Sequence, residues 1–84
     1  PRASEFTFTK DLKLGMKDKE VKMLQQYLNQ KGFTVSLSGP GSFGNETEVF
    51  GKATRAALIK FQKANKITPA AGYFGPMSRG VVVF

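Results

Sequence analysis

Two stretches decide how this 84-residue chain reads: Phe50-Gly51-Lys52-Ala53-Thr54-Arg55-Ala56-Ala57 and Phe74-Gly75-Pro76-Met77-Ser78-Arg79-Gly80-Val81. Each puts an aromatic and a glycine ahead of a helix start, then a hydroxyl residue and an arginine at the same spacing. Glycine lets the chain turn tightly into the helix, the aromatic anchors the turn, and Thr54 or Ser78 is expected to hydrogen-bond backbone near the helix start. Upstream, Leu24-Gln25 is echoed by Phe61-Gln62. The chain therefore reads as two copies of one helix-loop-helix-start unit, the first with a loop thirteen residues longer than the second.

Outward from these signatures the apolar spacing predicts three helices. The first follows Asp18, a good N-cap, with Val21, Leu24 and Leu28 as a buried stripe widened by Met23 and Tyr27, and Gly32 closing it. The second is expected over residues 52–65, with Thr54, Leu58, Phe61 and Asn65 on one face and Ala57 and Ala64 beside it as a small-residue surface for close packing. The third opens at Gly75-Pro76 and is expected to run from Met77 to about Val83. Residues 34–49 hold three glycines, a proline and several hydroxyls, so they read as a long loop that Leu37, Phe43 and Val49 would fix to the body. The fold class is all-α, a compact three-helix bundle with long connecting loops built from an internal duplication.

With 40% apolar and 23% charged residues the composition fits a folded domain and argues against disorder. Thirteen basic and six acidic residues give +7, and without histidine this charge hardly changes between about pH 5 and 9. Such a surface suits a polyanionic partner: nucleic acid, anionic lipid, or a bacterial wall with its carboxylates and phosphates. The absence of cysteine and histidine removes disulfides, the usual zinc sites, a thiolate nucleophile and an imidazole base. The pairs Asp18/Glu20 and Glu46/Glu48 read as solvated or capping carboxylates, because acid/base work needs two carboxyls facing each other across a substrate. No apolar run approaches the roughly 18 residues of a membrane span. The N-terminus also lacks the charged-then-apolar pattern of a secretory signal, so a cytosolic protein or a piece of a secreted one both fit. Residues 1–6 read as linker or cloning-derived sequence, and 7–84 as the domain.

In order and register, the motifs resemble those of the peptidoglycan-binding domains of bacterial wall hydrolases. The matching residues are Leu14-Gly15; Val21-x-x-Leu24-Gln25-x-x-Leu28-Asn29-x-x-Gly32-Phe33; Asn45-Glu46-Thr47-x-x-Phe50-Gly51-x-x-Thr54-x-x-Ala57-Leu58-x-x-Phe61-Gln62; and Gly72-Tyr73-Phe74-Gly75-Pro76-x-Ser78-Arg79. The resemblance covers about residues 7–82. The prodomain bundle of matrix metalloproteases is similar too, but its inhibitory cysteine has no counterpart here. The expanded loop and the glycine at position 80 depart from the family pattern.

The resemblance implies a non-catalytic module, not an enzyme, that needs no cofactor and no metal. It would bind peptidoglycan, by glycan or peptide stem, and hold an attached domain at the wall, placing the protein outside the cell, in the wall or periplasm. The expected ligand-binding residues lie in a groove between the long loop and the two helix starts. Arg55 and Arg79 would take stem carboxylates, Asn45 and Thr47 would bond amides, and Phe43 and Tyr73 would stack on sugar or stem. The two arginines also fit a solvated or salt-bridged helix face, and Glu46 is expected to order the loop instead of touching ligand. Two rivals remain: a protein-docking or scaffold module, and a basic nucleic-acid-binding domain. The latter is disfavoured because the lysines are spread over all elements and no recognition helix or aromatic RNA-binding strand is evident.

Overall fold

The computed structural model describes residues 8–82. Among them three helices form, α1 (Lys19–Gln30), α2 (Lys52–Ala64) and α3 (Pro76–Val81), with isolated antiparallel bridges at Leu12–Phe74 and Lys17–Val49 in place of any strand. The protein is thus an all-α three-helix domain. Whether residues 1–6 are linker lies outside the described residues.

Local chemistry sets the helix ends where the spacing predicts them. Asp18 caps α1 by accepting from the Glu20 N–H, and its carboxyl is held below the ordinary range by the Lys10 ammonium and by that cap bond. At the other end Gly32 sits at φ +88°. The Gly32 and Phe33 N–H groups return to the Asn29 and Leu28 carbonyls, a Schellman ending that favours glycine. α3 is shorter than expected: it stops at Val81, where Val82 is extended, because a six-residue helix carrying Gly80 has little propensity to continue.

The core joins Val21, Leu24, Tyr27 and Leu28 of α1 to Ala57, Leu58 and Phe61 of α2, with Leu12, Phe50 and Phe74 closing it. Phe61 is central, meeting Tyr27 and Phe33 edge-on at 5.6 and 5.8 Å. Burial of each such side chain contributes about 1.5–3 kcal/mol, so α1 and α2 hold together by this apolar contact and not by helix propensity, and α3 adds only the partly buried Val81 to it. Ala57 serves the close packing, whereas Ala64 is exposed and so is Asn65, which ends α2 as its C-cap instead of joining the buried face. Glu20 is buried, not solvated: it accepts from the backbone N–H groups of Thr9 and Lys10 and docks the N-terminal segment on α1.

The duplication is built on two buried glutamines. Gln25 donates to the Val49 carbonyl (3.0 Å) and the Thr54 hydroxyl (2.9 Å) and accepts from the Thr47 N–H (2.6 Å). Gln62 repeats this, donating to the Tyr73 carbonyl (2.7 Å) and the Ser78 hydroxyl (3.0 Å) and accepting from the Gly72 N–H (2.9 Å). Thr54 and Ser78 therefore receive a glutamine amide in the core, where a backbone bond at the helix start was expected; Gly51 and Gly75, the N-caps, have no side chain to cap with. The N-terminal segment threads between the two signature turns. Leu12 and Phe74 exchange both backbone bonds, Gly15 donates to Phe50, and Phe50 donates to Met16.

The long loop is fixed differently from the expectation. Leu37, Phe43 and Val49 are exposed, and the loop is held by Val35 in the core and by Asn29. Asn29 accepts from the Val35 N–H and donates to the Gly41 carbonyl and to Glu46, whose carboxylate also takes the Gly44 N–H. Glu46 orders the loop, as the sequence predicts.

Replacing Gln62 with leucine keeps the volume but strands the Gly72 N–H and the buried Ser78 hydroxyl, while the Tyr73 carbonyl retains the Gly75 N–H. Each unmet buried group costs about 1–3 kcal/mol, so we expect Gln62→Leu to lower the unfolding free energy by about 2–4 kcal/mol in urea titration. A loss below about 0.5 kcal/mol would show that the turn does not depend on this amide.

Candidate functional site

Because the two glutamines brace equivalent turns, they leave equivalent hollows beside the two later helix starts. One, of about 280 Å³, is lined by Gln25, Thr47, Val49, Gly51, Ala53 and Thr54 among others. The other, of about 160 Å³, is lined by Gln62, Tyr73, Gly75, Met77 and Ser78 at the matching positions, with Ile67 and Pro69 as an apolar wall. A third concavity of about 440 Å³ lies on the long loop and includes Phe43 and Asn45.

The second signature turn carries the densest chemistry. At Gly72 (φ +81°) a β-carbon would come within 2.5 Å of the Arg55 Cγ, so only glycine lets the arginine stem lie across the turn. At Gly75 a β-carbon would meet the Tyr73 ring at 2.8 Å, so that ring packs against its own turn. Arg55 on α2 and Tyr73 are thereby brought to one place.

Asp11 ties Tyr73 to Arg79. The Tyr73 hydroxyl donates to Asp11 Oδ2 at 2.7 Å, and Arg79 Nη2 stands 3.1 Å from Asp11 Oδ1. This second contact is an ion pair by distance but lacks hydrogen-bond alignment: Asp11 Oδ1 and Arg79 Nε are both buried without a hydrogen-bond partner among the described residues. The bond to Asp11, then desolvation, raises the Tyr73 hydroxyl above its ordinary pKa, and Arg79 opposes this. Arg79 is half-buried and internally paired, as the salt-bridged alternative has it, while Arg55 is exposed and meets no acidic group among the described residues.

Of the six residues expected to touch ligand, the structure gathers Arg55, Tyr73 and Arg79 around the second turn and Phe43 with Asn45 on the loop. Thr47 lies in the first helix-start hollow, its N–H taken by Gln25. The arginines line none of these three concavities, and the hollow that holds Thr47 is bounded by Val35, Pro40 and Gly41 of the long loop as well as by the first helix start. Sequence reading missed Asp11, whose partners are 62 and 68 residues away in the chain and leave no local trace. It also missed Met77 and Ile67 as hollow lining; the Gln62 echo was the one available signal. Among the described residues no group of histidine, cysteine, aspartate and glutamate is placed to hold a metal, and no helix is long and apolar enough to cross a membrane.

The family model described as "Putative peptidoglycan binding domain" matches residues 17–81, a span that includes both glutamines, both signature turns and all three helices. The chain belongs to the peptidoglycan-binding domain family. No significant match to a curated protein or to a solved structure was found. The match to the peptidoglycan-binding domain family runs through the glutamine-braced turns and the long loop alike.

A phenol bonded to a carboxylate is harder to ionise, so the Tyr73–Asp11 contact contributes stability that is complete below the ordinary tyrosine pKa of about 10 and lost as pH rises through the raised folded value. We expect the Tyr73 ζ-carbon resonance to titrate above Tyr73's own value in Asp11→Asn. Identical titrations in the two proteins would mean that Asp11 does not hold the hydroxyl.

Proposed function

We propose that this chain is a non-catalytic targeting module that binds peptidoglycan and holds an attached domain at the bacterial wall, in an extracellular or periplasmic setting. The observation that carries this reading is the family match across the whole helical frame. Physical support comes from the second signature turn, where an exposed guanidinium, a phenol and an apolar hollow lie together. Wall polymer offers the complementary groups: stem carboxylates for the Arg55 guanidinium and sugar or peptide faces for the Tyr73 ring. Arg79 acts there through Asp11, setting the Tyr73 ring, and Thr47 adds an amide-bonding hydroxyl at the first turn. Phe43 and Asn45 supply a further face on the loop. Each hollow is open and shallow, so affinity in isolation is modest and tethering supplies the rest.

The test is co-sedimentation of the domain with purified insoluble peptidoglycan at low and high salt. The domain is expected in the pellet at both, with Arg55→Ala and Tyr73→Ala each weakening retention by about tenfold, or about 1.4 kcal/mol. Complete release by salt would replace the specific site with charge-driven adhesion, since phosphate-type contacts weaken steeply with ionic strength. Failure to pellet at any salt would overturn wall binding and favour docking to a protein.

A further inference from the structure

We infer that the extended loop at residues 34–46 forms a second site whose ligand is a neutral sugar carrying acetamido groups. Three observations lead there. The second copy of the repeat makes the same turn with thirteen fewer residues, so the extra length is not needed to build the fold. The loop is nonetheless braced from below: Asn29 holds Val35, Gly41 and Glu46, Ser36 bridges Ser42, and the Ser42 hydroxyl bonds Gly39. That bracing leaves outward-facing groups unused. Phe43 is 71% exposed and Leu37 94%, and the Thr34 and Ser38 hydroxyls and the Asn45 side-chain carbonyl take no hydrogen bond among the described residues.

The lining of the loop concavity decides the ligand's charge. On a chain of net charge +7 it holds no ionisable side chain at all. A carboxylate or phosphate ligand would find no counter-charge there, whereas hydroxyls and an amide carbonyl beside an aromatic face suit a polyol ring with an amide substituent. The volume of about 440 Å³ falls within the roughly 300–1,000 Å³ of small-molecule sites. In this arrangement the Phe43 ring stacks on the apolar face of the sugar, and the Asn45 carbonyl accepts from the acetamido N–H. The wall-binding reading supplies the choice of acetamido sugar; the uncharged lining stands without it.

The experiment is a heteronuclear NMR titration of the domain with chitotetraose, the β-1,4-linked tetramer of N-acetylglucosamine, against cellotetraose, which has hydroxyls in place of acetamido groups. Saturable shifts confined to residues 34–46 are expected with chitotetraose, with a dissociation constant on the order of 1 mM. Phe43→Ala should weaken them about tenfold while resonances outside the loop stay in place. No shifts in the loop, or an equal response to cellotetraose, would overturn the inference. Sedimentation with peptidoglycan in the absence of loop shifts rejects the sugar site and leaves wall binding standing. Loop shifts without sedimentation sustain the sugar site and reject wall binding.

Discussion

Every helix that begins after a sharp turn leaves backbone groups that must find partners once the turn is buried. Here that requirement is met twice by the same device, a glutamine side chain sent from the preceding helix into the following turn. A side-chain amide carries two N–H donors and a carbonyl acceptor without any charge, and it reaches further than a hydroxyl. A glutamate at position 25 or 62 could take the N–H of Thr47 or Gly72 but could not donate to the carbonyl of Val49 or Tyr73. A lysine could donate but not accept, and would bring a charge into the core. The hydroxyls of Thr54 and Ser78 complete each set, and this is why those positions carry a small hydroxyl residue despite their burial.

The remainder of the architecture follows from these two turns. Each presents a phenylalanine backbone with free pairing groups, and the segment before α1 satisfies both, at Leu12 and at Gly15 and Met16. An N-terminal stretch with no regular structure is thereby fixed between the repeats, and Asp11 arrives beside Tyr73 and Arg79 as a consequence. Asn29 extends the same principle to the loop, one amide again serving backbone groups on both of its faces. Three buried amides and one apolar cluster thus organise a chain with little helix of its own to rely on.

What could be read from the sequence was what is local. Asp18, Gly32 and the apolar stripes of α1 and α2 announce themselves within a few residues, because caps and helical spacing are short-range physics. The repeat was equally visible, since its parts recur in order. The role of the repeated glutamines was not, because Leu24-Gln25 and Phe61-Gln62 show only that a polar residue follows an apolar one, and the partners lie 22–29 and 10–16 residues away. The loop misled for a different reason. Large apolar residues in a loop usually tether it to the core, yet Val35 and Asn29 do the tethering here and leave Leu37 and Phe43 facing water. The candidate site was half-legible in the same way: the duplicated helix starts stand out in the chain, whereas the contacts of Asp11 with Tyr73 and Arg79 span 62 and 68 residues and leave no local trace.

The different linings of the second turn and the loop concavity bear on how so small a domain would hold a polymer. A single deep site would need walls that 84 residues with a modest core do not provide. Dispersed shallow sites need none, provided the ligand repeats and offers different chemistry along its length. The second turn presents a free guanidinium in Arg55 and a phenol held by Asp11, suited to charged stems; the loop presents uncharged hydroxyls and a ring, suited to sugar. Binding one group raises the effective concentration of the other by its fixed distance on the same chain, so two weak contacts give a combined affinity neither has alone. The internal pairing of Arg79 fits this division. Its charge is committed to Asp11 beside the turn, so in the proposed wall contact Arg55 would be the guanidinium left to meet a stem carboxylate.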